Sequence, residues 1–574
     1  MLLSAASAAR KDEAACPSSR RRLALLISSA LAVSLLFLAQ APDAGRIGRA
    51  LVSTTSLAQQ QQLPRGGAAK MCSSTPSLRG QRHTGLFSPH PLQQRQQQQV
   101  LLGDNARSMA VFSSTDDVTS KSILLRAEEL TKDLELEQTE SNKRRCLSGM
   151  GEADLSGRVV LVRADLNVPL APMHDEVLLD QRLKDAIPTI RYLTQRGAKV
   201  LVIGHIERLR EDGPQPVSLA PVASAMSELM NEVVTFVAES TGPKVEKVVE
   251  TMGMGTVVLL ENVRLNDPEL DEKNDEEFAR KLASVADIFV MDDFADAHLN
   301  LASTVGVTKY CEINVAGLLV ESEHKHLEEA INKPERPFAA VVGGAKLSEK
   351  FEMINRLLDK VDGIFIGGGI ANTFLKARGM QIADSLAEDE YLNHARRLEL
   401  KARNKGIKLI FPDDFLFADT YSVKALTSIL PYSELGEKGR VPAGWMVLDH
   451  GDLSVLNIVT QFKSARTFFW NGPIGAEELD NFAYGSHAVA ALASAIGAMN
   501  RTSIVGGRDT VAALDRANMR KDTTHVSTGG ASFYDMMEGK ILPGISSLDP
   551  PDEVKVDIPQ LTGDAPLFDV DAMD

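Results

Sequence analysis

The sequence contains little cysteine, and this scarcity excludes one class of fold. Cysteine occupies four of 574 positions (Cys16, Cys72, Cys146 and Cys311), too few for a disulfide-stapled scaffold. No two of these residues form a CxxC pair, which argues against a cysteine zinc site. The chain also lacks an excess of positive charge, because its net charge is −15. That balance argues against a nucleic acid partner.

Several nucleotide-site motifs are missing as well. The sequence has no GxGxxG fingerprint after a predicted strand, no GxxxxGK[ST] loop, and no HRD or DFG motif of protein kinases. What remains is an ordinary globular composition, with 44% hydrophobic and 24% charged residues, which can bury a large core. At roughly 100–200 residues per domain, the length predicts two to four domains.

The N-terminal arm has a different charge from the body. Residues 1–103 carry 12 Lys/Arg and 3 Asp/Glu, whereas the remainder carries 50 and 74. Three arginines at 20–22 precede an apolar run at 23–39 and an Ala-Gln-Ala site, so residues 1–41 are typical of a secretory signal. Residues 42–103, rich in Ser and Gln, are typical of a transit peptide. Together they predict plastid import with only a transient membrane contact. The alternatives are a retained signal anchor and a disordered tail.

The body alternates apolar strands with amphipathic helices. Residues 104–153 are predicted to be a linker with one loose helix, and 550–574 an acidic tail. Between them, predicted strands fall at 158–162, 199–203, 257–260, 288–291, 338–342, 363–366, 408–411, 467–470 and 503–505. This rhythm predicts an α/β fold with two doubly wound parallel-sheet domains, 154–317 and 334–540. A long charged helix, 318–333, joins them.

Charged side chains follow the predicted strands of the first half. The strand ends carry Arg163, Asp165 and Asn167, then His205 and Arg208, then Arg264, and finally Asp292 and Asp293, while the first long helix adds Arg182. Ligands of doubly wound sheets bind beyond the carboxyl ends of the strands. Several arginines at that level favour an anionic, phosphorylated ligand, although any single arginine fits a surface ion pair better.

The second half has glycines at the same level. Five glycine clusters follow its predicted strands, at 343–344, 367–369, 472, 506–507 and 529–530. Glycine lets backbone N–H groups approach phosphates closely, and Lys346 and Lys350 share one helix face beside the first cluster. Tight turns use the same residues, so the pattern by itself favours a nucleotide site without excluding ordinary turns.

At these motifs the chain resembles the phosphoglycerate kinase family. The resemblance extends from about residue 154 to 550, and the matching blocks are, in order, VLVRADLNVPL (160–170), SLAPVA (218–223), LENVRL (260–265), VGGAKLSEK (342–350), IGGGIANTFLK (366–376), WNGPIG (470–475), IVGGRDT (504–510) and HVSTGG (525–530). The resemblance implies reversible phosphoryl transfer from 1,3-bisphosphoglycerate to ADP, giving 3-phosphoglycerate and ATP, in glycolysis or carbon fixation. It also implies that the two domains face a cleft, that residues 541–574 form a C-terminal segment that returns to the first domain, and that the enzyme is a monomer that uses Mg²⁺.

The resemblance also assigns roles to residues of this chain. Catalysis would fall to Arg182 and Lys350. Substrate binding would use Asp165, Asn167, Arg182, His205, Arg208 and Arg264. Nucleotide binding would use Gly343, Lys346, Lys350, Gly367, Asn471, Glu478, Gly507, Arg508, Asp509 and Thr510, with Asp509 also holding Mg²⁺.

Four positions depart from the family pattern. Leu299 stands where the family has a substrate arginine, Glu207 and Arg508 each replace a glycine, and Ala531 replaces the last glycine of a triplet. The main hypothesis is a working enzyme. The alternatives are a catalytically impaired relative that binds or regulates, and a different kinase on the same fold.

Overall fold

A computed structural model describes residues 144–171, 176–178, 180–210, 213–436 and 441–551. The predicted leader, the loose helix before residue 141 and the acidic tail after 551 lie outside these residues. Across the described ranges, no helix is both long enough and apolar enough to cross a membrane.

The first half builds one parallel sheet. Its strands are β1 (Val159–Ala164), β2 (Lys199–Ile203), β3 (Glu207–Arg210), β4 (Gly213–Pro216), β5 (Val234–Val237), β6 (Val257–Leu260), β7 (Ile288–Asp292) and β8 (Ile313–Ala316). The sheet runs β5-β6-β2-β1-β7-β8, while β3 and β4 pair separately as an antiparallel hairpin. The helices of this half are α1 (Glu152–Leu155), α2 (Gln181–Thr194), α3 (Ala220–Met230), α4 (Pro243–Thr251), α5 (Pro268–Glu272) and α6 (Glu276–Ala283).

Both faces of this sheet are covered, which explains its apolar strands. Val160 and Val162 pack into one core cluster, and Leu161 between them packs into another. Successive side chains of a strand point to opposite faces, so each face buries its own hydrophobic layer. Strands buried on both faces have nearly continuous apolar sequences.

One long helix leads from the first sheet to the second. Helix α7 (Leu318–Asn332) begins after β8, and Asp292 at the end of β7 accepts a hydrogen bond from Leu319 N at 2.9 Å. Val320 and Leu327 of this helix are buried in a core cluster that continues into the second half. The helix is therefore packed along its length rather than exposed as a free linker.

The second half repeats the architecture. Its strands are β9 (Phe338–Val342), β10 (Gly363–Ile366), β11 (Lys408–Ile410), β12 (Asp414–Ala418), β13 (Thr427–Pro431), β14 (Met446–His450), β15 (Thr467–Asn471), β16 (Thr502–Gly506) and β17 (His525–Val526). The parallel sheet runs β11-β10-β9-β15-β16-β17, and β13-β12-β14 form a small antiparallel sheet. The helices are α8 (Phe351–Leu357), α9 (Gly368–Ala377), α10 (Leu392–Lys405), α11 (Asp452–Phe462), α12 (Tyr484–Ala498), α13 (Arg508–Arg516), α14 (Ala531–Met537) and α15 (Pro543–Ser546).

The last residues that the structure describes contact the first half again. Gly544 N donates to Ala297 O at 2.9 Å, and Asn314 exchanges hydrogen bonds with Asp549. The predicted fold class, two doubly wound parallel sheets joined by a long helix, is confirmed. The antiparallel sheet β12–β14, the hairpin β3–β4 and the edge strands β5, β8 and β17 are additions that the sequence analysis did not predict.

Candidate active site

The carboxyl end of the first sheet carries a buried charge cluster centred on Arg163. Its guanidinium is fully buried and donates to Asp293 Oδ2 at 2.5 Å, to Asp296 Oδ2 at 2.9 Å and to Ala164 O at 2.9 Å. His205 Nδ1 lies 3.2 Å from Arg163 Nη2. Burial lowers the pKa of His205 to about 3, so this imidazole is neutral at pH 7. The Arg163 guanidinium therefore holds two acidic side chains and one neutral imidazole, and burial raises the pKa of Asp293 to about 8 against the opposing effect of Arg163.

This cluster also contains three potential metal ligands. Donor atoms of His205, Asp293 and Asp296 lie within 4.8 Å of one another. The Arg163 guanidinium contacts all three of these side chains. Because a cation of the protein already satisfies these donors, the group does not fit a metal ion.

Arg182 lies at the rim of the same cluster. The second residue of α2, it donates through Nη1 to both carboxylate oxygens of Asp165 at 2.8 Å. Asp165 is buried and also accepts from Asn167 N at 3.1 Å. Burial raises the pKa of Asp165, while Arg182 opposes the rise. The Arg182 side chain stays 42% exposed, so one edge of its guanidinium is fixed and the rest is accessible.

Arg264 is surrounded by carboxylates. It donates to Asp271 Oδ2 at 3.2 Å and to Asp296 Oδ2 at 3.3 Å. Its Nη1 also donates to Glu207 Oε1 at 3.4 Å. Glu207 is one of the four departures from the family pattern, and it bonds a residue assigned to substrate. The departure therefore pairs Arg264 with an additional acid.

The other residues that the resemblance assigns to substrate binding lie beside this cluster. Asn167 Nδ2 lies 3.2 Å from His205 Nε2, and its Oδ1 accepts from Glu207 N at 3.1 Å. Arg208 Nη2 donates to Ala171 O at 3.4 Å. Leu299, the apolar departure, is partly buried and donates its backbone N–H to Asp296 O at 2.9 Å.

The second sheet presents Lys350 among glycines. Lys350 is 5% exposed, and its ammonium donates to Gly343 O at 2.8 Å. A Cβ at Gly472 would lie 2.3 Å from Lys350 Nζ and 2.2 Å from Gly343 O, so only glycine fits there. Burial lowers the pKa of Lys350 to about 7, against the opposing effect of Asp509. The ammonium is thus held in a tight backbone cradle, and because its pKa is about 7, it is only partly protonated at neutral pH.

A second part of this cradle forms where β15 and β16 end. Asn471 Nδ2 donates to Gly506 O at 2.7 Å, and Gly472 N donates to Thr510 Oγ1 at 2.7 Å. Gly507, at φ +93°, begins α13 with a backbone conformation that favours glycine. The N–H groups of the first turn of α13 are oriented to bind an anion.

Of the five other predicted residues of this half, four are exposed and Gly367 is buried. Lys346 is exposed, with Nζ 3.8 Å from Glu349 Oε1. Gly367 precedes α9, where a Cβ would lie 2.7 Å from Ile474 Cγ2. The side chains of Glu478, Arg508 and Asp509 are exposed as well. Glu478 accepts a hydrogen bond from the Tyr421 hydroxyl.

The structure therefore brings the predicted residues together in two groups. Hydrogen bonds link Asp165, Asn167, Arg182, His205 and Arg264 on the first sheet, and Gly343, Lys350, Asn471, Gly507 and Thr510 gather on the second. No described hydrogen bond joins Lys346, Gly367, Glu478, Arg508 or Asp509 to the second group. Sequence reasoning missed Asp271, Asp296 and Tyr534. Asp296 follows a predicted strand end and could have been found, whereas Tyr534 carried no signal.

Comparison with known proteins covers most of the body. The family model described as phosphoglycerate kinase matches residues 150–540. Phosphoglycerate kinase from Acaryochloris marina is 43% identical over 406 residues, 71% of this chain and 99% of that protein. The chloroplastic phosphoglycerate kinase of Volvox carteri is 41% identical over 71% of this chain and 86% of that protein. The solved structure of phosphoglycerate kinase from Coxiella burnetii covers 70% of this chain and 98% of its own, at 36% identity and a TM-score of 0.60. On these matches, the chain belongs to the phosphoglycerate kinase family.

Proposed function

We propose that the two groups of residues are the two halves of one phosphoryl-transfer site. The chain is a phosphotransferase with a carboxyl group as acceptor, and it catalyses the reversible reaction of 3-phosphoglycerate and ATP to 1,3-bisphosphoglycerate and ADP. The first sheet binds the phosphoglycerate and the second binds the nucleotide.

The observation that carries this assignment is the cradle of Lys350. A buried ammonium 2.8 Å from a backbone carbonyl is costly unless an anion later completes its environment. Gly343 and Gly472 leave no room for a Cβ, so the backbone itself forms the wall. Such a cradle accommodates phosphate oxygens and excludes bulkier groups.

On the substrate side, Arg182 is the cation able to reach the transferred group. Asp165 holds one edge of its guanidinium, which fixes the orientation of the side chain before the substrate arrives. Arg264 and His205 are nearly buried and would bind the non-transferred end of the substrate, with Asn167 and Arg208 at the rim. Preorganised cations of this kind stabilise charge that develops during transfer.

On the nucleotide side, Asp509 suits Mg²⁺ as well as phosphate. Its carboxylate is exposed at the start of α13, and no hydrogen bond or ion pair ties it to the described residues. A free carboxylate oxygen beside a phosphate site is the kind of ligand that Mg²⁺ takes. Bound there, Mg²⁺ would neutralise phosphate charge. Lys346, Asn471, Arg508 and the N-terminus of α13 at Thr510 complete the phosphate contacts, while Gly367 and Glu478 face the nucleoside.

The chemical step needs no protein nucleophile. A carboxylate oxygen of 3-phosphoglycerate attacks the γ-phosphorus of ATP, the bond to the β-phosphate oxygen breaks, and ADP leaves with that electron pair. No proton is transferred, so the side chains contribute position and charge. Lys350 and Arg182 would contact the transferring group from opposite sides.

A coupled assay of ATP- and 3-phosphoglycerate-dependent turnover tests these roles. Lys350→Ala and Arg182→Ala should each lower kcat by at least about a hundredfold, as expected for loss of one preorganised donor. Lys273→Ala, which removes an exposed lysine paired with Glu269, is the matched control. Equal turnover in both site variants and the control would contradict the assignment.

The four departures lower affinity in this proposal and do not remove the catalytic cations. Glu207 pairs with Arg264, Leu299 lacks a charge, and Arg508 and Ala531 are exposed. An impaired relative that only binds nucleotide would show ATP affinity but no turnover in the same assay.

Residues 1–103 direct the chain to the plastid in this proposal. The arm is basic, with a signal-like segment before a transit-like one, and a relative from Volvox carteri is chloroplastic. A fluorescent protein fused to residues 1–103 should accumulate inside plastids. Fluorescence in the cytosol would contradict import, and fluorescence in an internal membrane would favour a retained signal anchor.

The active form is proposed to be a monomer. Both groups of site residues come from one chain, so a second copy is not needed to complete the site. Light scattering at assay concentrations should give one chain mass, and a dimer mass would contradict this.

A further inference from the structure

Tyr534 of α14 reaches the nucleotide half of the site. Its hydroxyl oxygen accepts a hydrogen bond from Asn471 Nδ2 at 3.3 Å. The Lys350 ammonium lies 5.8 Å from the centre of its ring, within range of a cation–π contact. A Cβ at Gly507 would lie 2.8 Å from this hydroxyl. Tyr534 thus touches the end of β15, the lysine cradle and the start of α13.

The hydrogen bonds around this hydroxyl leave its proton free. Asn471 Nδ2 donates to both Gly506 O and the Tyr534 oxygen, so the hydroxyl acts there as an acceptor. A tyrosine hydroxyl can also donate one hydrogen bond, and none of the described residues accepts it. Burial raises the pKa of Tyr534, which keeps the phenol protonated at neutral pH.

The surroundings of this donor suit an anion. The Lys350 ammonium lies 5.8 Å from the ring centre, and Gly507 at the N-terminus of α13, with its partial positive charge, lies beside the hydroxyl. A hydroxyl donor close to both a cation and a helix N-terminus is well placed to contact a phosphate.

We propose that Tyr534 donates a hydrogen bond through its hydroxyl to the phosphoryl group that is transferred, and is thus a further catalytic residue of this chain. The proposal rests on the nucleotide site assigned above and adds a residue to it. The covalent chemistry is unchanged: the P–O bonds form and break as before, and the phenol keeps its proton throughout.

The same helix also contacts the substrate half of the site. Ser532 Oγ donates to Ala295 O at 3.0 Å and accepts from His298 N at 3.1 Å. Those two residues flank Asp296, which bonds Arg163 and Arg264. The start of α14, two residues before Tyr534, is therefore anchored to the loop that carries Asp296, and we expect Ser532→Ala to act through Tyr534.

Tyr534→Phe is the sharpest test because it removes one oxygen and keeps the ring beside Lys350 and Phe533. We expect kcat/KM for ATP to fall by about tenfold or more, the loss typical of a hydrogen bond to a charged group. By calorimetry, the affinity for ADP should stay within about twofold. The affinity for ADP with fluoroaluminate, Mg²⁺ and 3-phosphoglycerate, which imitates the transferring group, should fall by the same factor as kcat/KM.

Two further variants complete the experiment. Tyr310→Phe, which removes an exposed hydroxyl bonded to Glu276 at 2.7 Å, should leave turnover and all affinities unchanged. Ser532→Ala should lower turnover in the wild-type background and have much less effect beside Tyr534→Phe, because residues that act through one another are not additive. Thermal melting of every variant checks that the fold is retained.

Each outcome separates this proposal from the one it rests on. Unchanged turnover in Tyr534→Phe, with Lys350→Ala inactive, overturns the role of Tyr534 and leaves the nucleotide site standing. An equal loss of ADP affinity and turnover also overturns it, because the hydroxyl would then only position Asn471. Full activity of Lys350→Ala refutes the nucleotide site itself.

Discussion

Glu207→Gln should make the chain bind 3-phosphoglycerate more tightly. The Glu207 carboxylate lies 3.4 Å from Arg264 Nη1 and keeps 27% of its side chain exposed. Any substrate anion that uses Arg264 must approach this carboxylate. Asp271 and Asp296 also hold Arg264, so the guanidinium stays in place when Glu207 is neutralised.

The size of the effect follows from Coulomb's law. Two unit charges about 5 Å apart repel by about 3 kcal/mol at an effective dielectric constant of about 20. The partial exposure of Glu207 and salt screening reduce this repulsion to about 1 kcal/mol. The dissociation constant for 3-phosphoglycerate should therefore fall about fivefold, and the gain should shrink as salt rises.

Titration calorimetry at low and high salt measures this change. Glu312→Gln is the matched control, because Glu312 carries the same charge in the same half of the chain and pairs with exposed Arg158 at 3.4 Å. The control should bind 3-phosphoglycerate as the wild type does. Unchanged or weaker binding by Glu207→Gln would refute the reasoning and would mean that Glu207 supports the productive orientation of Arg264.

Three other variants test other parts of the site. Leu299→Arg should tighten 3-phosphoglycerate binding by about tenfold, since a charged hydrogen bond contributes about 1.5 kcal/mol or more. Combined with Glu207→Gln, the gain in binding free energy should exceed the sum of the two single gains. If calorimetry shows no gain for Leu299→Arg, another cation already binds the substrate phosphate. Gly507→Ala should lower kcat strongly in the coupled assay, because its Cβ would lie 2.6 Å from Asn471 Nδ2 at a φ of +93°; normal turnover would contradict the tight cradle. Lys350→Met should flatten the rise of the free energy of unfolding between pH 7 and 10. The pKa of Lys350 is lowered to about 7 in the folded state, so in that window only the unfolded chain holds the proton, and the wild type gains about 1.4 kcal/mol per pH unit from this group. The same pH dependence of the free energy of unfolding in both proteins, measured by urea titration, would contradict this.

The sequence predicts buried strands better than exposed ones. Strands β2, β6, β9 and β10 have the bounds that the apolar runs predict, because burial on both faces leaves a continuous hydrophobic signal. Strand β13 alternates exposed and half-buried positions and ends in Pro431, so its sequence is typical of a loop. Whether such a segment pairs as a strand depends on its contact with β12, and the local sequence does not show that contact.

The candidate site is likewise only partly predictable from the sequence. The position after a parallel strand correctly indicates where charged groups gather, as with Asp165 and His205. The sequence cannot show which acid pairs with which base, and the pairs of Arg264 with Asp271 and Glu207 come from separate segments. Tyr534 reaches Asn471 because α14 packs beside the end of β15, and no local pattern indicates that.

The two halves of the site stabilise their cations by different means. Arg163 and Arg264 are buried and paired with carboxylates, so their charge is fixed and their freedom to move is small. Lys350 is buried beside a carbonyl, and its pKa is lowered to about 7, so the arriving phosphate determines whether it is charged. Arg182, at 42% exposure, keeps its charge and part of its freedom. The substrate half therefore holds its cations fixed in charge and position by pairing them with acids, whereas the nucleotide half gains its full positive charge only when the phosphates are bound.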